Sequence, residues 1–101
     1  MIVLTTTGSK AEAGKISEAL VEERLCACVQ VVPIISVYRW KGKIEREGEH
    51  LLLCKTVSGN YGRIEERILQ LHSYECPEVV AIPIVEGSKN YLSWIRKNTE
   101  G

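Results

Sequence analysis

The chain alternates between short apolar runs and amphipathic stretches, and the period of each predicts an element. Ile2–Thr6 is a β-branched run and predicts a buried strand. Ser9-Lys10-Ala11-Glu12 has the form of a capping box, with Ser9 accepting from the Glu12 amide and Glu12 reaching back. The helix that follows runs to about Arg24, with Ala13, Ile16, Ala19 and Leu20 on one face and Lys15, Glu18, Glu22 and Glu23 opposite. Gly14 weakens it by about 1 kcal/mol relative to Ala, so close packing against a neighbour is expected there. Cys28–Trp40, rich in Val, Ile and Tyr, predicts a long strand. Pro33 cannot donate to a ladder and predicts a bend or a change of pairing partner near its position. Lys41-Gly42-Lys43 predicts a tight hairpin turn, and Ile44–Thr56 returns as a second long strand with Gly48 as a bulge site. Within it, Leu51-Leu52-Leu53-Cys54 is uniformly apolar and predicts burial on both faces. Ser58–Ser73 predicts a helix striped by Tyr61, Ile64, Ile68 and Leu71. Val79–Val85 predicts an apolar strand, with Pro83 marking an edge or bulge. Ser88 caps a last helix, Lys89–Asn98, with Tyr91, Leu92 and Ile95 inward.

The first six elements read β-α-β-β-α-β, the split βαβ order of ferredoxin-like domains. The expected fold class is α+β: a ferredoxin-like sandwich over residues 1–101 as a single domain, with a long central hairpin and an extra C-terminal helix. Its antiparallel sheet carries helices on one face, so the other face needs cover. The hairpin strands are about twice the usual length of ~5–6 residues. Their tip, carrying Tyr38, Trp40 and Ile44, therefore projects beyond what one small core can cover. Pairing with another subunit through these residues is the expected cover.

Composition narrows the function. Thirteen basic and thirteen acidic residues give zero net charge, which argues against a nucleic-acid surface and against anionic lipid. A local basic patch of Arg39, Lys41, Lys43 and Arg46 remains around the turn. No secretory leader is read at Met1-Ile2-Val3-Leu4-Thr5, and no apolar stretch is long enough to span a membrane. These features predict a cytoplasmic protein in which Cys26, Cys28, Cys54 and Cys76 stay reduced.

Three groups of residues carry candidate chemistry. Cys26-Ala27-Cys28 puts two thiols at a spacing that can hold Cu(I) or Zn(II), or that simply packs as two small hydrophobes. His72, with Tyr74, Glu75, Cys76 and Glu78, is the densest set of ligand types; the same histidine at a helix C-terminus also suits the helix dipole. His50, on the polar part of the hairpin, reads as solvated. Lys55 ends an apolar run, placed to snorkel or to meet an anion, with Glu78 as a plausible partner. Trp40 and Trp94 are large packing or interface anchors. No nucleophile elbow, phosphate loop or H-E-x-x-H motif is present, so a non-enzymatic role is expected.

Several fragments together resemble the CutA family of divalent-cation tolerance proteins. They are Glu23-Arg24-Leu25-Cys26-Ala27-Cys28-Val29, Ser36-Val37-Tyr38-Arg39-Trp40-Lys41-Gly42-Lys43-Ile44, Leu53-Cys54-Lys55-Thr56, His72-Ser73-Tyr74-Glu75-Cys76-Pro77-Glu78 and Tyr91-Leu92-Ser93-Trp94-Ile95. They run in the family's order and cover essentially the whole chain. The chain departs from the family at Gln30, usually Asn, and at Ser73, usually Pro. The resemblance implies a ferredoxin-like homotrimer similar to the PII signalling proteins, a role in the response to metal ions, and binding of copper or another divalent cation. It implies a cleft at the subunit boundary lined by Cys28, Lys55, His72, Tyr74, Glu78 and Trp94. His72 is the expected metal ligand, helped by a nearby carboxylate or thiolate. Two alternatives stand beside this one. The first is a PII-like module binding a small anion at Lys55. The second is a non-catalytic oligomerisation scaffold.

Overall fold

The computed structural model describes residues 1–99; Glu100 and Gly101 of the expected domain lie outside the described residues. The elements are β1 (Ile2–Thr7), α1 (Lys10–Glu22), β2 (Cys28–Trp40), β3 (Lys43–Lys55), a 3₁₀ turn (Ser58–Asn60), α2 (Tyr61–Leu71), β4 (Val80–Ile82) and α3 (Lys89–Lys97). The four strands form one sheet in the order β2-β3-β1-β4, antiparallel throughout. This is the α+β, ferredoxin-like arrangement that the element order predicts.

Strand alternation decides which side chains form the core. Val3, Thr5, Thr7, Leu52 and Cys54 point to one face and are fully buried. Ala13, Ile16 and Leu20 of α1 and Ile64 and Ile68 of α2 close over that face. At the entry to β2, the buried Leu25 carbonyl accepts from Thr56 Oγ1 at 2.6 Å and from Asn60 Nδ2 at 3.1 Å. These bonds tie the α1–β2 connection to the start of α2.

The opposite face has no helix layer over most of its area. Leu51 and Leu53 point there and are only half-buried, whereas Leu52 and Cys54 are fully enclosed. The run expected to be buried on both faces is therefore buried on one side within a single chain. β4 is also shorter than the expected Val79–Val85, because Pro83 has no N–H to continue the ladder. Val80 and Ile82 stay 47% and 45% exposed at that sheet edge.

The hairpin pairs without a break from Cys28 opposite Lys55 to Trp40 opposite Lys43. Neither a change of pairing partner at Pro33 nor a bulge at Gly48 is present: Pro33 lies in register with His50, and Gly48 with Ile35. β2 is the outermost strand, where a proline is tolerated. Lys41 (φ 50°) and Gly42 (φ 80°) make the turn, both in the positive-φ region that a two-residue type I′ loop requires.

Helix details differ from expectation in three places. Ser9 caps α1 by accepting from the Glu12 amide at 3.1 Å, but the Glu12 carboxylate does not reach back. It accepts instead from the Ser73 backbone N–H at 2.8 Å. Among the described residues, no atom beyond its own helix turn and flanking residues lies within 4 Å of where a side chain at Gly14 would begin, so the expected close packing is not found there. In α3, Ser88 accepts from the Tyr91 amide and Ile95 is buried, but Tyr91 faces outward. It stacks on Trp94 with ring centroids 5.6 Å apart.

Candidate functional site

A concavity lies on the open face, between the hairpin arm and the connection from α2 to β4. Its volume is about 740 Å³. Ser36, Val37, Tyr38, Trp40, Glu45, Glu47 and Glu49 form the hairpin wall, Thr6 contributes from β1, and Tyr74, Glu75, Cys76 and Glu78 form the other wall. Period-two alternation is what brings Glu45, Glu47 and Glu49 to one face of β3. Five carboxylates thus line the groove, and none of its lining residues is Lys or Arg.

The second wall is held by a chain of hydrogen bonds that begins at His72. Its Nδ1 accepts from the Tyr74 amide at 3.1 Å, so the proton sits on Nε2, which donates to the Thr6 carbonyl at 2.7 Å. Both ring nitrogens are engaged. A metal ion at His72 would have to displace one of these bonds. The Tyr74 ring lies 4.8 Å from the His72 ring, and its hydroxyl donates to Glu49 Oε2 at 2.8 Å. Gly8 makes room for that hydroxyl: a Cβ there would stand 2.8 Å from the Tyr74 oxygen. Burial, then the hydrogen bond to Glu49 and its negative charge, raise the Tyr74 phenol well above its ordinary value. Tyr38 is raised too, by loss of water first and by Glu47 next.

The expected cleft residues form two clusters within one chain. His72, Tyr74 and Glu78 belong to the acidic groove and its wall. Cys28 and Lys55 face each other at the base of the hairpin, with Tyr91 and Trp94 of α3 nearby. Along β3 this is roughly 20 Å from Glu49, at ~3.3 Å per residue. The Lys55 ammonium lies 5.5 Å from the centre of the Tyr91 ring and makes no ion pair with Glu78 among the described residues. Of the expected interface residues, Tyr38, Trp40 and Ile44 are 37%, 42% and 62% exposed.

All four thiols are free. Cys26 and Cys54 are fully buried. Donation of its S–H to Cys54, then burial and the neighbouring sulfurs, push the Cys26 thiol far up, so it stays protonated and inert. Cys26 lies ahead of β2, so the C-x-C pair does not sit side by side on a strand. Cys76 is exposed at the groove. His50 is half-buried rather than solvated, with Nδ1 enclosed and without a hydrogen-bond partner among the described residues. Among those residues no three or more His, Cys, Asp or Glu side chains converge closely enough to form a ready metal ligand set. The groove supplies the right donor atoms and a negative field, but not a preformed coordination shell. Sequence reasoning missed Glu45, Glu47 and Glu49; their alternate spacing on a predicted strand was the available signal.

The profile of the CutA1 divalent ion tolerance protein family matches residues 1–98. This chain belongs to the CutA1 family. The divalent-cation tolerance protein CutA of Thermus thermophilus is 48% identical over 99 residues, covering 97% of this chain and 96% of its own. Its solved structure superposes with a TM-score of 0.94 over 98% of this chain and 97% of that one. The structure described as the periplasmic divalent cation tolerance protein CutA of Archaeoglobus fulgidus has a TM-score of 0.96 at 37% identity, covering 98% and 97% of the two chains. Human protein CutA is 44% identical over 89 residues, which is 87% of this chain and 50% of the human one. No helix among the described residues is long and apolar enough to cross a membrane.

Proposed function

We propose that this CutA1 protein is a cytoplasmic, non-catalytic homotrimer that takes part in the response to metal ions by binding copper or another divalent cation weakly. The observation that carries the cation reading is the groove walled by five carboxylates and the Cys76 thiol, with no basic lining residue. Such a field concentrates cations before any specific coordination forms. Weak binding follows from the lack of a converged ligand set. Glu75, Cys76 and Glu78 on the connection are the ligands best placed to adjust around an ion, and His72 acts by holding that connection to Thr6. The trimer reading is supported by the sheet's two open edges, β2 and β4, and by the exposed apolar residues Ile35, Val37, Val80 and Ile82 along them. One edge of each copy set beside the other edge of the next is a head-to-tail pairing that closes into a ring.

Calorimetric titration with Cu(II) and with Zn(II) tests the cation reading. The wild type is expected to bind at least one ion. Glu75→Gln/Glu78→Gln is expected to weaken it about tenfold or more, and His72→Ala by less. Absence of heat with either ion, or isotherms unchanged in the double variant, refutes the groove as the site. Sedimentation of the wild type tests the trimer.

One observation favours a second reading, a PII-like binding module. Lys55 is a half-buried residue whose ammonium lies over the Tyr91 ring and makes no hydrogen bond or ion pair among the described residues, beside an exposed Tyr91–Trp94 stack. A small planar anion would suit this cluster. A rise in melting temperature with nucleotides or carboxylates, lost in Lys55→Met, would favour it.

A further inference from the structure

Glu49 is a carboxylate buried without a counter-charge. It lies on β3 where β1 ends, next to the His50–Thr7 pair, and lines the inner end of the acidic groove. The residue is only 7% exposed, yet no Lys, Arg or His pairs with it among the described residues. A charge taken out of water to this degree is costly unless a cation or several donors meet it. Among the described residues its one hydrogen bond is a neutral one: the Tyr74 hydroxyl donates to Oε2 at 2.8 Å. That hydroxyl is boxed in. A Cβ at Gly8 would stand 2.8 Å from the same oxygen, and the Tyr74 ring leans on His72. Burial and the bond to Glu49 hold the phenol protonated, so it meets the carboxylate as a donor.

We propose that Glu49 is the anchoring ligand for a divalent cation and that the Tyr74 hydroxyl is its placeholder: Glu49 holds the phenol in the unloaded groove and the ion in the loaded one. This rests on the cation reading of the groove and adds to it a ligand and a device that regulates access to that ligand. Glu47 lies two residues away on the same face of β3, so a second carboxylate flanks Glu49. Tyr74 belongs to the connection that also carries Glu75, Cys76 and Glu78. Releasing its hydroxyl frees that connection to bring these donors toward the ion; keeping it on Glu49 holds them apart. The bond that stabilises the unloaded protein therefore opposes loading, which gives weak binding a cause beyond the lack of a converged ligand set. The place is also clear of the hairpin tip, since Ile44 lies roughly 17 Å further along β3 at ~3.3 Å per residue.

The test titrates wild type, Glu49→Gln, Tyr74→Phe and Gly8→Ala with Zn(II) and with Cu(II) by calorimetry, once far-ultraviolet circular dichroism has shown each variant to be folded. Glu49→Gln removes the charge and is expected to bind about tenfold more weakly. Tyr74→Phe removes the placeholder, and Gly8→Ala displaces it while leaving both partners in the chain. Each is expected to bind about fivefold more tightly than wild type, because the bond that is lost exists only in the unloaded state. A purely structural role for Tyr74 gives the opposite sign, since a loosened wall weakens binding. A second readout is thermal: the melting temperature lost by Tyr74→Phe is expected to shrink at saturating Zn(II). Tyr74→Phe and Gly8→Ala proteins that bind no more tightly than wild type overturn the placeholder while leaving the groove as a cation site, and so does Glu49→Gln with an unchanged isotherm. Absence of heat with either ion in the wild type overturns the cation reading itself, and the placeholder with it.

Discussion

Tyr74 meets three constraints at once. Its amide bonds His72, its hydroxyl bonds the almost fully buried Glu49, and its ring end rests against the backbone of Gly8. Gly8 has no positive φ, so a substitution there is penalised by contact rather than by backbone strain. Gly8→Ala must push the phenol away from Glu49 and is expected to cost about 1–3 kcal/mol, read by chemical denaturation. Tyr74→Phe keeps the ring but removes the donor to a buried carboxylate, with an expected cost of about 1–3 kcal/mol. The two variants should not add, since both break the same bond. The pH dependence follows from the raised phenol. The folded state favours the neutral form, so its contribution is complete below the ordinary tyrosine value of about 10 and is lost as pH rises beyond it. The wild type should therefore lose stability above about pH 10 more steeply than Tyr74→Phe, as melting temperatures across that range would show. At this scale the sequence singled out residue types but not their bonds. His72, Tyr74 and Glu78 stand out as residue types, yet nothing in their order tells that both imidazole nitrogens are spent on the backbone. Likewise Ser9-x-x-Glu12 reads as a reciprocal cap, and only the folded chain shows the Ser73 amide capturing the Glu12 carboxylate.

At the scale of elements, the hairpin depends on its two-residue turn. Gly42 sits at φ 80° with open space where a side chain would begin. Gly42→Ala therefore isolates backbone strain from steric clash, and is expected to destabilise by about 1–2 kcal/mol in denaturant unfolding. Lys41→Asn, which places a residue tolerant of positive φ at the other turn position, is expected to be neutral or mildly stabilising. The turn and both long strands were readable because alternation, β-branched residues and a Lys-Gly punctuation agree. The unbroken register was not, because Pro33 and Gly48 carry a meaning that depends on strand position. On an outer strand a proline is tolerated, and the register passes both residues unbroken. The Leu51–Cys54 run misled for a related reason. Uniform apolarity reports that both faces are to be buried, but not by which molecule; one face is covered by α1 and α2, and the other is left open by a single chain.

At the scale of the molecule, the chain measures 45 × 26 × 21 Å with a radius of gyration of 14.0 Å, against about 13 Å for a compact domain of this length. The arm accounts for the long axis, and it carries Ile35, Val37, Tyr38, Trp40 and Ile44 into solvent. In the proposed homotrimer this apolar surface is covered by a second copy, which makes the stability of the fold and its association one equilibrium. Melting temperature should then rise with protein concentration, as mass action requires when only the folded state associates. Trp40 reports on the same event. At 42% exposure in one chain it should emit as a partly solvated indole when dilute and shift to the blue on assembly, while Trp94→Phe removes the other indole from the signal. Trp40→Ala should lower both the melting temperature and the sedimenting mass. A concentration-independent melt with an unshifted Trp40 spectrum would mean that the arm is stable in water on its own, and the exposed apolar face would then need an occupant other than a second copy of this chain.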